Sequence, residues 1–188
     1  MSNHLHQLTM SFKPEQDRML LRVSTNDGTE FQFWLTRRFI KILWTALLQV
    51  IQDKPKVIQD KPKVIQRNPK PGGDLLPGVR DAIIAMEHKE MVQSADFSQK
   101  HEEGKVHANA KTGPLLVVGL SVVAIADQKT RITLKTKDGE GLSFGLTKQL
   151  LHALCQMVIS TTNKAEWNLG LTVGDAAAII VPDQSRVH

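Results

Sequence analysis

The chain holds a single cysteine, Cys155, so no intramolecular disulfide can form and no cysteine-based zinc site can be assembled. Stability must come from packing. Long hydrophobic runs are also missing. The longest, from Leu115 to Ala126, is broken by Gly119 and Ser121 and falls short of the roughly 20 apolar residues that a spanning helix needs. The opening Met1-Ser-Asn-His-Leu-His6 has neither the basic nor the apolar region of a secretory signal, so a cytoplasmic protein without a membrane partner is expected. Both phosphate-cradling glycine patterns, G-x-x-x-x-G-K-[ST] and G-x-G-x-x-G, are absent, as are the H-E-x-x-H of metallopeptidases and the G-x-S-x-G of serine hydrolases. No catalytic motif stands in their place, and neither enzyme chemistry nor a cofactor is expected.

What is present is ordinary for a globular chain: 188 residues, 41% apolar and 23% charged. The formal charge is +5, but its distribution is uneven. Between Gln52 and Gly73, Lys54, Lys56, Lys61, Lys63, Arg67 and Lys70 face only Asp53 and Asp60, which leaves the rest nearly neutral. In that stretch Ile51-Gln-Asp-Lys-Pro-Lys-Val57 recurs unchanged as residues 58–64, and prolines stand at 55, 62, 69 and 71. Proline removes a backbone donor and disfavours helix at the residue before it, so 52–74 reads as a flexible basic linker.

A second recurrence carries the fold prediction. Residues 21–48 slide by 111 positions onto 132–159, so that Asp27-Gly28 meets Asp138-Gly139, Phe33 meets Phe144, and Leu35-Thr36 meets Leu146-Thr147. Side chains alternate faces along a strand, which fixes the hairpin register. A two-residue loop at Asp27-Gly28 would mix apolar and polar residues on both faces. A loop of Asn26-Asp27-Gly28 instead pairs Val23 with Phe31, Leu21 with Phe33 and Met19 with Leu35, leaving Arg22 opposite Gln32. Gly28 then takes the left-handed position. The same register around Lys137-Asp138-Gly139 pairs Leu134 with Leu142 and Ile132 with Phe144.

Thr36 and Thr147 are positioned as N-caps of the helices that follow. Phe39, Ile40, Leu43, Trp44, Leu47, Leu48 and Ile51 recur at helical spacing, as do Leu150, Leu151, Leu154, Cys155 and Val158. Strands are expected before each hairpin, at 4–13 and 115–127, the second buried on both faces. Val79 to Val92 reads as a short amphipathic helix, and Gln99 to Thr112 as loop. The fold class is α+β: an antiparallel sheet of two strand-hairpin-helix repeats, with both helices on one sheet face. The organisation runs 1–51 first repeat, 52–74 linker, 75–113 short helix and polar loop, 114–170 second repeat, 171–188 tail.

Candidate chemistry is sparse. His4 and His6 share a strand face without a third ligand, and His101, Glu102, Glu103 and His107 fall in a loop, so no metal site is assigned. His152 and Cys155 are one helical turn apart, where imidazolium can activate a thiol, but Cys155 matches the inward-facing Trp44 and reads as packing. Arg37, Arg38 and Lys148 open the two helices, where the macrodipole favours anions, and are candidate anion ligands. The sheet face away from the helices should carry Arg22, Gln32 and Trp34 from one hairpin and Arg131, Thr133, Lys135 and Ser143 from the other. A basic, aromatic-bearing face of this kind suits single-stranded nucleic acid.

The doubled plan of antiparallel strands followed by a helix resembles, in outline, the single-strand-binding PUR and Whirly proteins. The resemblance is one of topology, with the linker and middle helix as departures, and it transfers no binding residue. The first functional expectation is a non-enzymatic interaction module that self-associates or binds a protein partner. The alternative is a single-stranded nucleic-acid binder using Arg22, Gln32, Trp34, Arg131 and Lys135. An enzyme would require a pocket gathering titratable groups.

Overall fold

The computed structural model describes residues 5–52, 77–95, 105–106, 113–125, 129–137, 139 and 141–174. The repeated stretch from 53 to 74, His4, the cluster of His101, Glu102, Glu103 and His107, and the tail beyond Gly174 lie outside them.

Three strands open the chain, β1 (Leu5–Lys13), β2 (Arg18–Thr25) and β3 (Thr29–Leu35), followed by α1 (Arg37–Gln52). Then come α2 (Pro77–Gln93) and the two-residue strand β4 (Lys105–Val106). Three further strands, β5 (Leu115–Ile125), β6 (Lys129–Thr136) and β7 (Gly141–Leu146), lead into α3 (Lys148–Lys164). Pro14 starts the 3-10 turn between β1 and β2, and Asp17 ends it at φ 46 with its N–H donating to the Pro14 carbonyl.

The protein is α+β. Its sheet runs β1-β2-β3-β5-β6-β7, with β4 alongside β3. The sheet is mixed, which corrects the expectation of a purely antiparallel one: β3 and β5 pair in parallel, through Phe33 with Leu115 and Trp34 with Leu116. The reason is the long connection between them, which carries α1 and α2 and returns the chain in its original direction.

Both hairpins take the register of a three-residue loop. Val23 faces Phe31, Leu21 faces Phe33 and Met19 faces Leu35. Ile132 faces Phe144 and Leu134 faces Leu142. Gly28 and Gly139 stand at φ 78 and 77, where a Cβ would be strained, and their amides donate to Thr25 and Thr136. The first strands are irregular at corresponding places, between Leu5 and Gln7 in β1 and between Val117 and Gly119 in β5.

Thr36 and Thr147 cap α1 and α3. Their hydroxyls accept from the amides of Phe39 (3.2 Å) and Leu150 (3.3 Å). Each helix then crosses over: α1 lies against β5 and α3 against β1. These two helices thus each cover the leading strand of the other meander, and β7 approaches β1 at the far edge. One core results. Met19, Leu21, Val23, Phe33 and Leu35 of the first meander join Ile132, Leu134, Leu142, Phe144 and Leu146 of the second beneath Ile40, Leu43, Leu47, Leu154 and Val158 of the helices.

Beyond α3 the chain turns back through Trp167, which is buried beside Phe12 with the two rings edge to face, its indole N–H donating to Asp17 at 2.9 Å. Two further expectations are corrected. Lys105 and Val106 pair with Thr29 and Glu30 as β4 inside the stretch read as loop. Strand β5 is covered on one side only, leaving Leu116, Val118 and Val123 exposed. An apolar run shows that a strand suits burial but does not supply a second covering layer.

Candidate functional site

The outer sheet face divides into two unlike halves. On the first meander, alternation sends Leu20, Arg22, Ser24, Glu30, Gln32 and Trp34 outward, yet Leu20, Ser24 and Glu30 are all at most 4% exposed. Glu30 organises this half. It accepts from the Gln32 amide at 2.7 Å and lies 3.7 Å from the Arg22 guanidinium. Arg22 and Gln32 are therefore engaged within the protein, and Trp34 is half-buried opposite Leu20 and beside Leu116.

The second half is open. Lys129, Arg131 and Lys135 point outward from β6 and are exposed, and Lys137 is exposed just beyond the strand. At about 3.3 Å per residue the stripe from Lys129 to Lys135 runs roughly 20 Å. Its neighbours are small: Gly145 stands opposite Arg131, Gly141 opposite Lys135, and Ser143 opposite Thr133, with their hydroxyls 3.0 Å apart. On the other side Val123 faces Arg131 and Gly119 faces Lys135. Among the described residues no carboxylate pairs with any of the four cations. The result is a cationic ribbon, edged by the exposed Leu116, Val118 and Val123, with Trp34 at the join between the halves.

The helix-opening cations are dispersed. Arg37 donates to the Trp167 carbonyl at 2.6 Å, Lys148 pairs with Glu87 of α2, and Arg38 is exposed. The structure does not gather the three into one site.

Sequence reasoning missed a second feature, where α2 docks on α3. His88 and His152 face each other with their Nδ1 atoms 3.1 Å apart. His152 is 1% exposed, and burial foremost, with His88 beside it, brings its imidazole down to about 4. Lys148 pushes the same way and Glu87 opposes them. A neutral ring follows at ordinary pH. His88 is lowered by burial as well, with the Gln156 amide working against it. The only signal in the sequence was a histidine on the apolar side of α3; its partner on α2 is 64 positions away. Cys155 is fully buried and its thiol is pushed up to about 12, so the His152 and Cys155 spacing creates no nucleophile.

Two clefts flank this helix layer. One of about 660 Å³ lies between α3 and β1, lined by His6, Met10, Gln149, Met157 and Lys164 among others. The other, about 420 Å³, opens between the ends of α1 and β5, α2 and the start of α3. Among the described residues no group of three or more metal-ligating side chains converges, and no helix is long and apolar enough to cross a membrane. Comparison with protein-family models, with curated proteins and with solved structures gives no match.

Proposed function

We propose that the protein is a non-enzymatic binding module whose outer β5–β7 face takes single-stranded nucleic acid. The observation that carries this reading is the ribbon of Lys129, Arg131, Lys135 and Lys137, exposed, clear of paired carboxylates among the described residues, and flanked by glycine and serine. Phosphates attract clustered cations on a structured face, and small neighbours let an extended backbone lie close. Trp34 supplies one ring at the margin for stacking, a contribution of about 1–3 kcal/mol per stacked base. Binding is then mainly electrostatic and indifferent to sequence. The matching registers, turns and strand irregularities of the two meanders support a duplicated origin, in which one outer face has become half-buried while the other has stayed open.

Fluorescence anisotropy with a labelled oligothymidylate tests the reading. Neutralising about four phosphates on a single strand gives a slope near −3 for log K against log salt, and each lost cation reduces it by about 0.7. Arg131→Ala and Lys135→Ala should each weaken binding and flatten the slope while the basic 52–74 stretch is left intact. Absence of binding at low salt, or affinity unchanged in both variants, rejects the proposal.

The exposed Leu116, Val118 and Val123 favour a second reading, a protein partner or a second copy docked along β5. Two copies joined face to face would oppose like charges on β6, which is why this reading ranks second. A dimer in light scattering that becomes monomeric in Val118→Glu would reverse the order.

A further inference from the structure

The cleft of about 420 Å³ shares only Lys129 with the cationic ribbon of the outer sheet face and has a composition of its own. Its apolar walls come from four parts of the fold. Ile51 ends α1, Ile84 lies on α2, Ile125 ends β5 and Leu151 begins α3, giving an apolar interior to which His152 adds a neutral ring. Among the described residues the charged groups lining the cleft are Arg80, Lys129 and Lys148 against a single carboxylate, Glu87. Glu87 is already matched by Lys148, and Arg80 donates to the Gln52 carbonyl at the end of α1. Lys129 is exposed and has no carboxylate partner among the described residues. The described lining is thus apolar with an excess of positive charge, in a volume that suits a small molecule.

We propose that this cleft binds a small amphipathic carboxylate of the medium-chain fatty-acid class. The hydrocarbon lies among Ile51, Ile84, Ile125 and Leu151, where burying it removes apolar surface from water. The carboxylate meets Lys129 and Arg80. Because α2 forms one wall, an occupied cleft also ties α2 to the end of α1 and to β5.

The test uses the full chain with isoleucine methyl groups labelled for NMR and titrates decanoate below its micelle-forming concentration. Saturable shifts are expected at the methyls of Ile51, Ile84 and Ile125, with Ile40 and Ile132 of the core unmoved. Lys129→Ala should weaken binding about tenfold, and decanol should bind at least tenfold less tightly than decanoate. Ile84→Trp should abolish the shifts by filling the cleft. Should that variant fail to fold, Ile83→Trp, at a half-exposed position lining the same cleft, provides the same block. Absence of saturable shifts at the three methyls overturns the proposal. So does equal binding of decanol and decanoate, or affinity insensitive to Lys129→Ala and to the tryptophan block.

Discussion

The Nδ1 atoms of His88 and His152 lie 3.1 Å apart, joining α2 to α3 through a single shared hydrogen. One ring must donate and the other accept, so the contact requires that at least one imidazole stay neutral. Lys148 with Glu87, and Gln149 with Ser94 just beyond α2, fasten the start of α3 to the same helix.

This pair makes stability depend on pH. His152 has a folded value near 4 against about 6.5 when unfolded, so between those values the unfolded chain binds more protons. Stability is full above about 6.5 and falls as pH drops towards 4, by up to about 3 kcal/mol. Urea unfolding at a series of pH values should show that slope in the native protein and a much flatter one in His152→Gln. An equal slope in both would show that other groups govern acid unfolding.

Trp167 holds the returning chain to the opposite end of the sequence through Phe12 and Asp17. Trp167→Ala should cost about 3–5 kcal/mol in chemical denaturation, the range for emptying a buried aromatic site. Asp17→Ala, which leaves the indole N–H without its acceptor and puts a less tolerant residue at φ 46, should cost about 1–3 kcal/mol.

The two helix caps invite a paired measurement. Thr36→Ala and Thr147→Ala each remove one hydroxyl acceptor at a helix start and should each cost about 1 kcal/mol. The Ser replacements should restore most of it.

Cys155 should resist thiol reagents in the folded protein, since burial holds the thiol protonated up to about 12. Modification by an aromatic disulfide should proceed at the rate of global opening and accelerate steeply in denaturant. Rapid labelling in native buffer would contradict its burial.

Much of this was legible locally. Parity around Gly28 and Gly139 fixed which face of each hairpin is apolar, and Thr36 and Thr147 marked where helices begin, because hairpin register and helix capping depend on residues a few positions apart. The parallel join of Phe33 to Leu115 was not legible, since it depends on where a long connection returns the chain. Nor was the inward loss of Arg22 and Gln32 to Glu30. Alternation states which face a residue takes, whereas the depth at which Glu30 lies depends on what else covers that face. His88 and His152 met for the same reason, through the docking of a helix whose own apolar pattern is weak.

The exchange of helices between the meanders has a consequence for autonomy. With α1 resting on β5 and α3 mainly on β1, either half taken alone would present a bare leading strand and a helix deprived of its main support. The two halves are therefore expected to depend on each other for folding. Cutting it within the stretch between Gln52 and Pro77 should give two fragments that are unstructured apart and regain the native fold when mixed, with the intact backbone serving chiefly to keep their local concentration high.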